Sequence, residues 1–324
     1  MLAFLHAMPV FFLILACALW GVSFPIIKAL DLEQSARLPG ASKVFLACWL
    51  QLARFAVAAL LMAPLLLHQR PTRRELVQGS WLGLWGGLAM AIQAWGLAFT
   101  EASTSAFLTQ AYCVILPLIA CIRIRRLPTK RIVAATTLVL IGGAILSGIT
   151  PAKLSIGKGE AATLVATLLF TLQILTLENP KYEGNRGLVV TFSMCAAIAL
   201  IFLPVTALLA PQPGAILAAG ATWPAFLLVL VLALVCSVGA YGLMNSWQPR
   251  VSSTEAGLIY TTEPVFTAAF VLFLPVLLGR LAGQPYPNES LTASLVAGGT
   301  LILAANLLMQ WKRSPHPPSI APAP

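Results

Sequence analysis

Two ionisable residues stand deep inside long apolar runs, and their types define the chemistry open to this chain. Arg54 lies about ten residues into the run over 44–67, and Glu263 about ten into the run over 253–278. At ~1.5 Å of rise per helical residue, each sits roughly 15 Å from the end of its run. An ionised group at that depth costs about 2.5–3.5 kcal/mol on insertion scales and by default marks function. Arg54 could offer a planar cationic fork to a carboxylate or phosphate, and Glu263 could meet an amine or carry a coupling proton. The architectural alternative is that Arg54 pairs with Glu263 or with backbone carbonyls, while Glu263 helps to satisfy backbone groups loosened by Pro264.

Polar and aromatic residues recur around these two charges. Trp20, Gln93, Trp95, Gln110 and Tyr112 come from the first half of the chain; Gln173, Tyr241, Tyr260, Thr262 and Asn306 come from the second. A cavity lined by aromatic rings and a few polar groups suits a small amphipathic solute, although interhelical hydrogen bonding recruits the same residue types. Trp20 and Tyr112 are the favoured pair. Trp20 precedes Gly21 and Pro25, Tyr112 precedes Pro117, and helices broken at mid-depth point to binding sites in membrane transporters. Gly21, Pro25, Pro117 and Pro264 are hinge candidates, or residues that membrane helices simply tolerate.

Other chemistries lack their residues. Cys17, Cys48, Cys113, Cys121, Cys195 and Cys236 fall inside apolar runs with no CxxC pair, and His6, His68 and His316 are scattered at or beyond run ends. These are not metal-ligand spacings. There is no GxxxxGK[ST] loop for a nucleotide, so no cofactor is expected. An intramembrane enzyme would need paired carboxylates, a metal site or an activated nucleophile; the runs offer one deep acid and no histidine.

The elements that must position these residues follow from composition. Hydrophobic residues make up 59% of the 324-residue chain and charged ones 9%, against roughly 25% charged in soluble domains, and the mean hydropathy is +0.89. Runs of roughly 20 apolar residues cross a bilayer as helices. About ten can be marked, over 8–30, 44–67, 77–98, 102–122, 132–149, 159–178, 187–209, 223–246, 253–278 and 290–311. A soluble fold would lack a polar face, and a β-barrel would need period-two alternation that these runs lack.

The runs are duplicated. Gln93-Ala94-Trp95-Gly96-Leu97 followed by Ser103-Thr104-Ser105-Ala106-Phe107-Leu108 is echoed by Gly239-Ala240-Tyr241-Gly242-Leu243 followed by Ser253-Thr254-Glu255-Ala256-Gly257-Leu258, and Gly142-Gly143 by Gly298-Gly299. A boundary near 150–159 leaves five runs per half. Five is odd, so the halves, 8–149 and 157–312, face opposite ways across the bilayer, and a midplane site lies between them. The expected fold is an all-α membrane protein of ten transmembrane helices in two inverted five-helix repeats. The Pro-rich tail, 313–324, is expected to be disordered.

Charge placement orients the chain. With the N-terminus cytoplasmic, inside loops carry Arg70, Arg73, Arg74, Arg123, Arg125, Arg126, Lys130, Arg131, Lys181, Arg186, Arg250, Lys312 and Arg313, while Lys28, Arg37, Lys43, Lys153, Lys158 and Arg280 fall outside. That bias of about two to one puts both termini in the cytoplasm, with the chain in the cell (inner) membrane. The net charge of +10 therefore reads as contact with anionic lipid, not nucleic acid. Gly83 and Gly87 form a GxxxG, and with the paired glycines they predict close helix packing, with a homodimer as a further option.

Trp20-Gly21 with Lys28, Ala53-Arg54-Phe55, Ser103 to Leu108, and Glu263-Pro264-Val265-Phe266 resemble the drug/metabolite transporter superfamily, and more narrowly its EamA-type members. The resemblance spans about residues 11–312. It implies ten helices in two inverted repeats around a central cavity, and export of small metabolites, often amino acids or related solutes. Departures occur at Gly279-Arg280-Leu281-Ala282, where members commonly carry Gly-Glu-Arg-Leu, at an insertion over 284–288, and at Leu168-Phe170-Thr171 in the sixth run. The expected function is a secondary exporter working by alternating access, with a flippase for lipid-linked head groups as the alternative on the same fold.

Overall fold

The computed structural model describes residues 2–97, 99–100, 102–149, 156–212 and 214–310, and among them every regular element is helical. The expected tail and part of the expected boundary between halves lie outside the described residues. The chain runs through α1 (Leu2–Arg37), α2 (Lys43–Met62), a short α3 (Leu65–His68), α4 (Arg73–Gly96), α5 (Ala102–Thr109), α6 (Tyr112–Ile124) and α7 (Lys130–Leu146). It continues through α8 (Lys158–Glu178), α9 (Gly187–Leu209), a short α10 (Ala215–Ala218), α11 (Trp223–Val231), a π-helical segment (Leu232–Gly239) and α12 (Ala240–Trp247). The last elements are α13 (Ser253–Tyr260), α14 (Glu263–Phe270), α15 (Leu274–Ala282) and α16 (Ala293–Gln310).

Six helical stretches among the described residues are long and apolar enough to cross a membrane: Met8–Arg37, Lys43–His68, Thr104–Ile124, Lys158–Glu178, Gly187–Leu209 and Trp223–Arg250. Ser253–Phe270 and Leu274–Ala282 meet at 70° and make a seventh if counted as one broken span. The other three apolar runs are helical too, as α4, α7 and α16, but α7 is 17 residues long and α4 is diluted by glycine and glutamine. Leu60, Leu67, Ile122, Leu200 and Leu208 are each more than two-thirds exposed. An apolar exterior around satisfied helical backbone is what a lipid solvent requires. The chain is a multi-pass helical membrane protein.

Helix starts follow local chemistry. The Ser42 hydroxyl accepts from the Phe45 amide to open α2, Thr72 and Glu75 form a reciprocal capping box on α4, and Thr129, Thr222 and Ser252 cap α7, α11 and α13. Each satisfies an amide that the helix leaves orphaned. Interruptions are less local. The expected break at Gly21 and Pro25 is absent, because α1 runs uninterrupted through both. α6 also passes through Pro117, and the break falls earlier, at Gln110 and Ala111. Proline leaves the carbonyl four residues upstream without its donor; for Pro117 that is Cys113, and the Thr136 hydroxyl of α7 donates to it at 3.3 Å. In the second half, α13 ends before Pro264. There the Thr261 and Thr262 hydroxyls donate to the carbonyls of Leu258 and Ile259 at 2.6 and 2.7 Å.

Small residues set the packing. A Cβ on Gly142 would lie 2.8 Å from the Gly298 carbonyl oxygen, and one on Gly298 would lie 2.6 Å from that of Gly142, so α7 and α16 cross with backbones touching. Gly79, Gly83 and Gly87 seat α4 on α9 against Ser193, Ala197 and Ile201. The glycine faces expected to pack closely do so within the chain. α1 packs on α12, the π-helical segment and α14, and α8 packs on α4, α5 and α6. One apolar core gathers Leu13, Phe55, Leu82, Leu116, Ile198 and Phe202; a second gathers Leu30, Phe45, Leu228 and Leu232.

Two polar clasps close the ends of the bundle. In the first, Arg37 Nε donates to Glu33 at 2.7 Å and Nη2 to the Ala218 carbonyl at 2.7 Å. The Gln34 amide donates to the Ala219 carbonyl at 2.9 Å, and the Thr222 hydroxyl donates to Glu33 at 2.8 Å. This joins the C-terminal end of α1, past its apolar run over 8–30, to the α9–α11 connection. In the second, Arg186 Nε and Nη2 donate to Glu75 at 2.7 and 2.8 Å, and Asn185 donates to Gln78 at 2.7 Å. It joins the α8–α9 connection to the start of α4.

Candidate functional site

Arg54 projects from α2 onto the π-helical segment and is 6% exposed. Its Nε donates to the Ser237 hydroxyl at 2.7 Å and its Nη2 to the Cys236 carbonyl at 3.2 Å. Its guanidinium carbon lies 5.1 Å from the centroid of the Phe55 ring. Of the two architectural partners expected for it, a backbone carbonyl is present. No ion pair with Glu263 occurs among the described residues, although the two charges are within electrostatic reach of one another.

A chain of rings leads away from this cation. Phe55 and Tyr241 lie 5.9 Å apart between centroids, Tyr241 and Trp20 5.1 Å, and Trp20 and Tyr260 5.6 Å, the last two edge to face. Ring quadrupoles favour such geometry over flat stacking. α1 supplies Trp20, α12 Tyr241 and α13 Tyr260, so three helices meet here. The Tyr260 hydroxyl donates to Gln248 at 2.8 Å, and the Gln248 amide donates to the Ile174 carbonyl of α8 at 2.8 Å. The Trp20 indole nitrogen is buried and has no hydrogen-bond partner among the described residues.

Glu263 is the first residue of α14, where the helix dipole favours a negative charge. It is only half-buried, and its carboxylate accepts no hydrogen bond and makes no ion pair among the described residues. Tyr112 and Tyr241 lie within its electrostatic reach. Tyr112 opens α6 just past the break and is 7% exposed. α14 packs on α1, with Phe266 against Gly21 beside Trp20, so Glu263 stands at the edge of a central cluster of Trp20, Arg54, Tyr112, Tyr241 and Tyr260 fed by both halves of the chain.

The remaining candidates are used elsewhere. Gln93 donates to Thr109 at 2.8 Å and to Ser105 at 3.4 Å, tying α4 to α5. Gln173 donates to the Leu82 carbonyl at 3.1 Å and lies against Gly86. Thr262 caps α13 as described, and Asn306 bonds the Ile302 carbonyl of its own helix. Trp95 is 48% exposed and leans on Phe99 at 4.9 Å. Gln110, at the α5–α6 break, is 8% exposed and keeps its side-chain oxygen buried without a partner. Sequence reasoning missed Ser237 and Gln248. Ser237 is one small polar residue in an apolar run, and Gln248 precedes a proline in what reads as a loop, so neither carries a local signal.

Outside the bilayer-spanning segments, the second clasp places a charge pair, Arg186 with Glu75, at 2.7 Å. Arg186 and the Thr72 amide hold the Glu75 carboxyl down from its ordinary 4.5 to about 2, against the opposing effect of its burial. A separate cavity of about 460 Å³ lies where the ends of α6 and α8 meet the start of α13, lined among others by Arg123, Glu178 and Ser253. Among the described residues, no group of three or more His, Cys, Asp or Glu side chains is arranged to hold a metal ion.

No family model matches the chain. It is similar to an uncharacterized transporter of Archaeoglobus fulgidus, with 25% identity over 259 residues, covering 80% of this chain and 75% of the relative. It also shares its fold with a protein of known crystal structure, at a TM-score of 0.61 and 17% identity, over 94% of this chain and 96% of that one. The likeness to solved structure therefore spans nearly the whole helical bundle, while the sequence likeness leads to a transporter.

Proposed function

We propose that this chain is a secondary transporter that exports small amphipathic metabolites, such as amino acids or related solutes, across the cytoplasmic membrane by alternating access. The observation that carries the reading is a cluster of rings with a buried Arg54 and a half-buried Glu263, inside a lipid-facing bundle and supplied by both halves of the chain. Ionisable groups kept at that depth mark solute or ion pathways by default. The archaeal relative described as a transporter supports the same class, and the EamA-type motifs of the sequence resemble exporters.

The architecture in this reading is ten spans in two inverted repeats, 8–149 and 157–312, with both termini cytoplasmic. Its support is geometrical. α1 packs on α12 and α14 as α8 packs on α4 and α5, the pattern expected if the first and sixth spans are equivalent. The two clasps are equivalent in the same sense: one links the first inter-span connection to the seventh, the other links the sixth to the second. Inversion puts equivalent clasps on opposite faces. The cavity at Arg123, Glu178 and Ser253 gathers three span ends that the alternation assigns to one side.

The test is flux in proteoliposomes. Purified protein should move a labelled amphipathic solute, and Trp20→Ala and Tyr112→Ala should each lower flux by roughly tenfold, about 1.4 kcal/mol of binding, without loss of folded protein. Normal flux in both variants removes the cluster from the pathway.

A further inference from the structure

Resting on the reading that the central cluster binds the solute, we infer that it recognises a protonated amine, held by the Glu263 carboxylate among the rings of Trp20, Tyr112, Tyr241 and Tyr260, and that Arg54 does not serve as a carboxylate receptor.

The two charges of the cluster are in different states of commitment. The Nε and Nη2 edge of an arginine is one of the edges that can grip a carboxylate side on, and in Arg54 this edge is spent on the Ser237 hydroxyl and the Cys236 carbonyl. Only 6% of the residue is exposed, and the Phe55 ring lies beside the guanidinium. A solute carboxylate taking that edge would displace two buried hydrogen bonds and leave the Cys236 carbonyl without that donor, and the end-on edge belongs to a residue almost closed off from any solute. Glu263 is the reverse: half-buried, at the mouth of a helix break, and without a hydrogen-bond donor among the described residues. Arg54 acts on it through space but donates nothing to it. A carboxylate away from water needs a donor, and a cationic one completes it best.

The surroundings choose the kind of cation. Trp20 meets Tyr241 and Tyr260 at interplanar angles of 64° and 68°, so the rings form a corner and not a flat stack. Aromatic faces attract an ammonium or alkylated ammonium group by their quadrupole, tryptophan most strongly. The unpartnered Trp20 indole N–H is a second, independent vacancy in the hydrogen-bond inventory; it asks for an acceptor on the same solute. The fitting class is a small amphipathic amine with an apolar body.

Two probes with one ring each separate the alternatives on the detergent-purified full chain: phenethylamine, which carries the amine, and 3-phenylpropanoate, which carries the carboxylate. Phenethylamine should raise the melting temperature and change tryptophan fluorescence, and 3-phenylpropanoate should do neither. Glu263→Gln, nearly isosteric, should weaken phenethylamine by roughly tenfold or more. Ser237→Ala, which loosens Arg54 without removing its charge, should leave phenethylamine affinity unchanged. Absence of a phenethylamine response, a response to 3-phenylpropanoate alone, or undiminished affinity in a folded Glu263→Gln protein overturns the inference. If Glu263→Gln does not fold, Trp20→Phe replaces it, with a loss of affinity expected and an unchanged affinity counting against the site. Flux keeps the two readings apart. Phenethylamine binding with no flux of phenethylamine or of any other labelled amphipathic solute in proteoliposomes leaves the amine site standing and removes the transporter reading, whereas transport of other solutes without phenethylamine binding removes only the amine site.

Discussion

Arg54 and Glu263 entered as equivalent candidates, each one charge in an apolar run, and the structure separates them by their hydrogen bonds. Arg54 supplies two donors to the π-helical segment, so its loss is a loss of packing between α2 and that segment. Arg54→Ala should lower unfolding free energy by about 1.5–3 kcal/mol, the range for buried hydrogen bonds from a charged group, and Ser237→Ala by less; both can be followed as melting temperature in detergent. Arg54→Lys should not restore the loss, because a single ammonium lacks the planar fork that spans both acceptors. At the bundle's end, Glu75 makes a pH prediction. Its folded-state pKa is lowered to about 2 from 4.5, so the stability it contributes is complete above the unfolded value and is lost as pH falls from about 4.5 towards 2. Glu75→Gln should therefore melt below the native chain at neutral pH, by roughly 1–2 °C if the pair is worth about 1 kcal/mol, and the gap should close across that acidic window. A gap that persists at the acid end would remove the charge pair as its cause.

Helices and glycine contacts were largely legible in the sequence, because each depends on a short stretch of residues. The apolar runs announce the helices by length and composition, and the paired glycines at 142 and 298 announce a close crossing. That crossing predicts a contrast. Gly298→Leu would drive a side chain into the Gly142 oxygen at 2.6 Å and the Leu146 amide at 2.9 Å, backbone atoms that cannot rotate away, and should abolish monodisperse folded protein on size exclusion. Gly299→Ala meets only the Val265 methyls at 3.6 Å or more and should be tolerated. Interruptions were not legible, because a proline breaks a helix only where its orphaned carbonyl finds no other solution. Pro117 stays within α6 while Thr136 from another helix serves the Cys113 carbonyl. Thr136→Val should cost about 0.6 kcal/mol, the mean for hydrogen bonds between membrane helices, and nearly nothing in a Pro117→Ala background, where a backbone amide takes over. Equal costs in both backgrounds would show that the hydroxyl acts some other way. The π-helical segment had no sequence signal either, since its partner Arg54 lies 182 residues away from Cys236.

At the scale of the whole molecule, the two clasps test whether the duplicated sequence is also an inverted structure. Both use an arginine and a glutamate, at Arg37 with Glu33 and at Arg186 with Glu75, and both tie one inter-span connection to another. Yet the pairs do not align residue for residue: Glu33 and Arg37 share one helix, whereas Glu75 and Arg186 are on different elements. Sequence comparison of the halves could not have matched them, because what is shared is the location of the clasp and not its residues. If the halves are inverted, the clasps must face opposite sides of the membrane, and this has a direct measurement. Gly40, on the α1–α2 connection, has open space around its Cβ position, and Glu183, on the α8–α9 connection, is exposed. In intact cells a membrane-impermeant thiol reagent should label Gly40→Cys at once and Glu183→Cys only after permeabilisation, over a low background because the six native cysteines are buried or half-buried. Gly214→Cys, beside the partner of the first clasp and equally open, should follow Gly40→Cys. Labelling of Gly40→Cys and Glu183→Cys from the same side would mean an even number of crossings between them, and the halves would then be parallel copies with no central site generated by inversion. Opposite labelling, with Gly214→Cys on the side of Gly40→Cys, would fix the polarity on which alternating access depends.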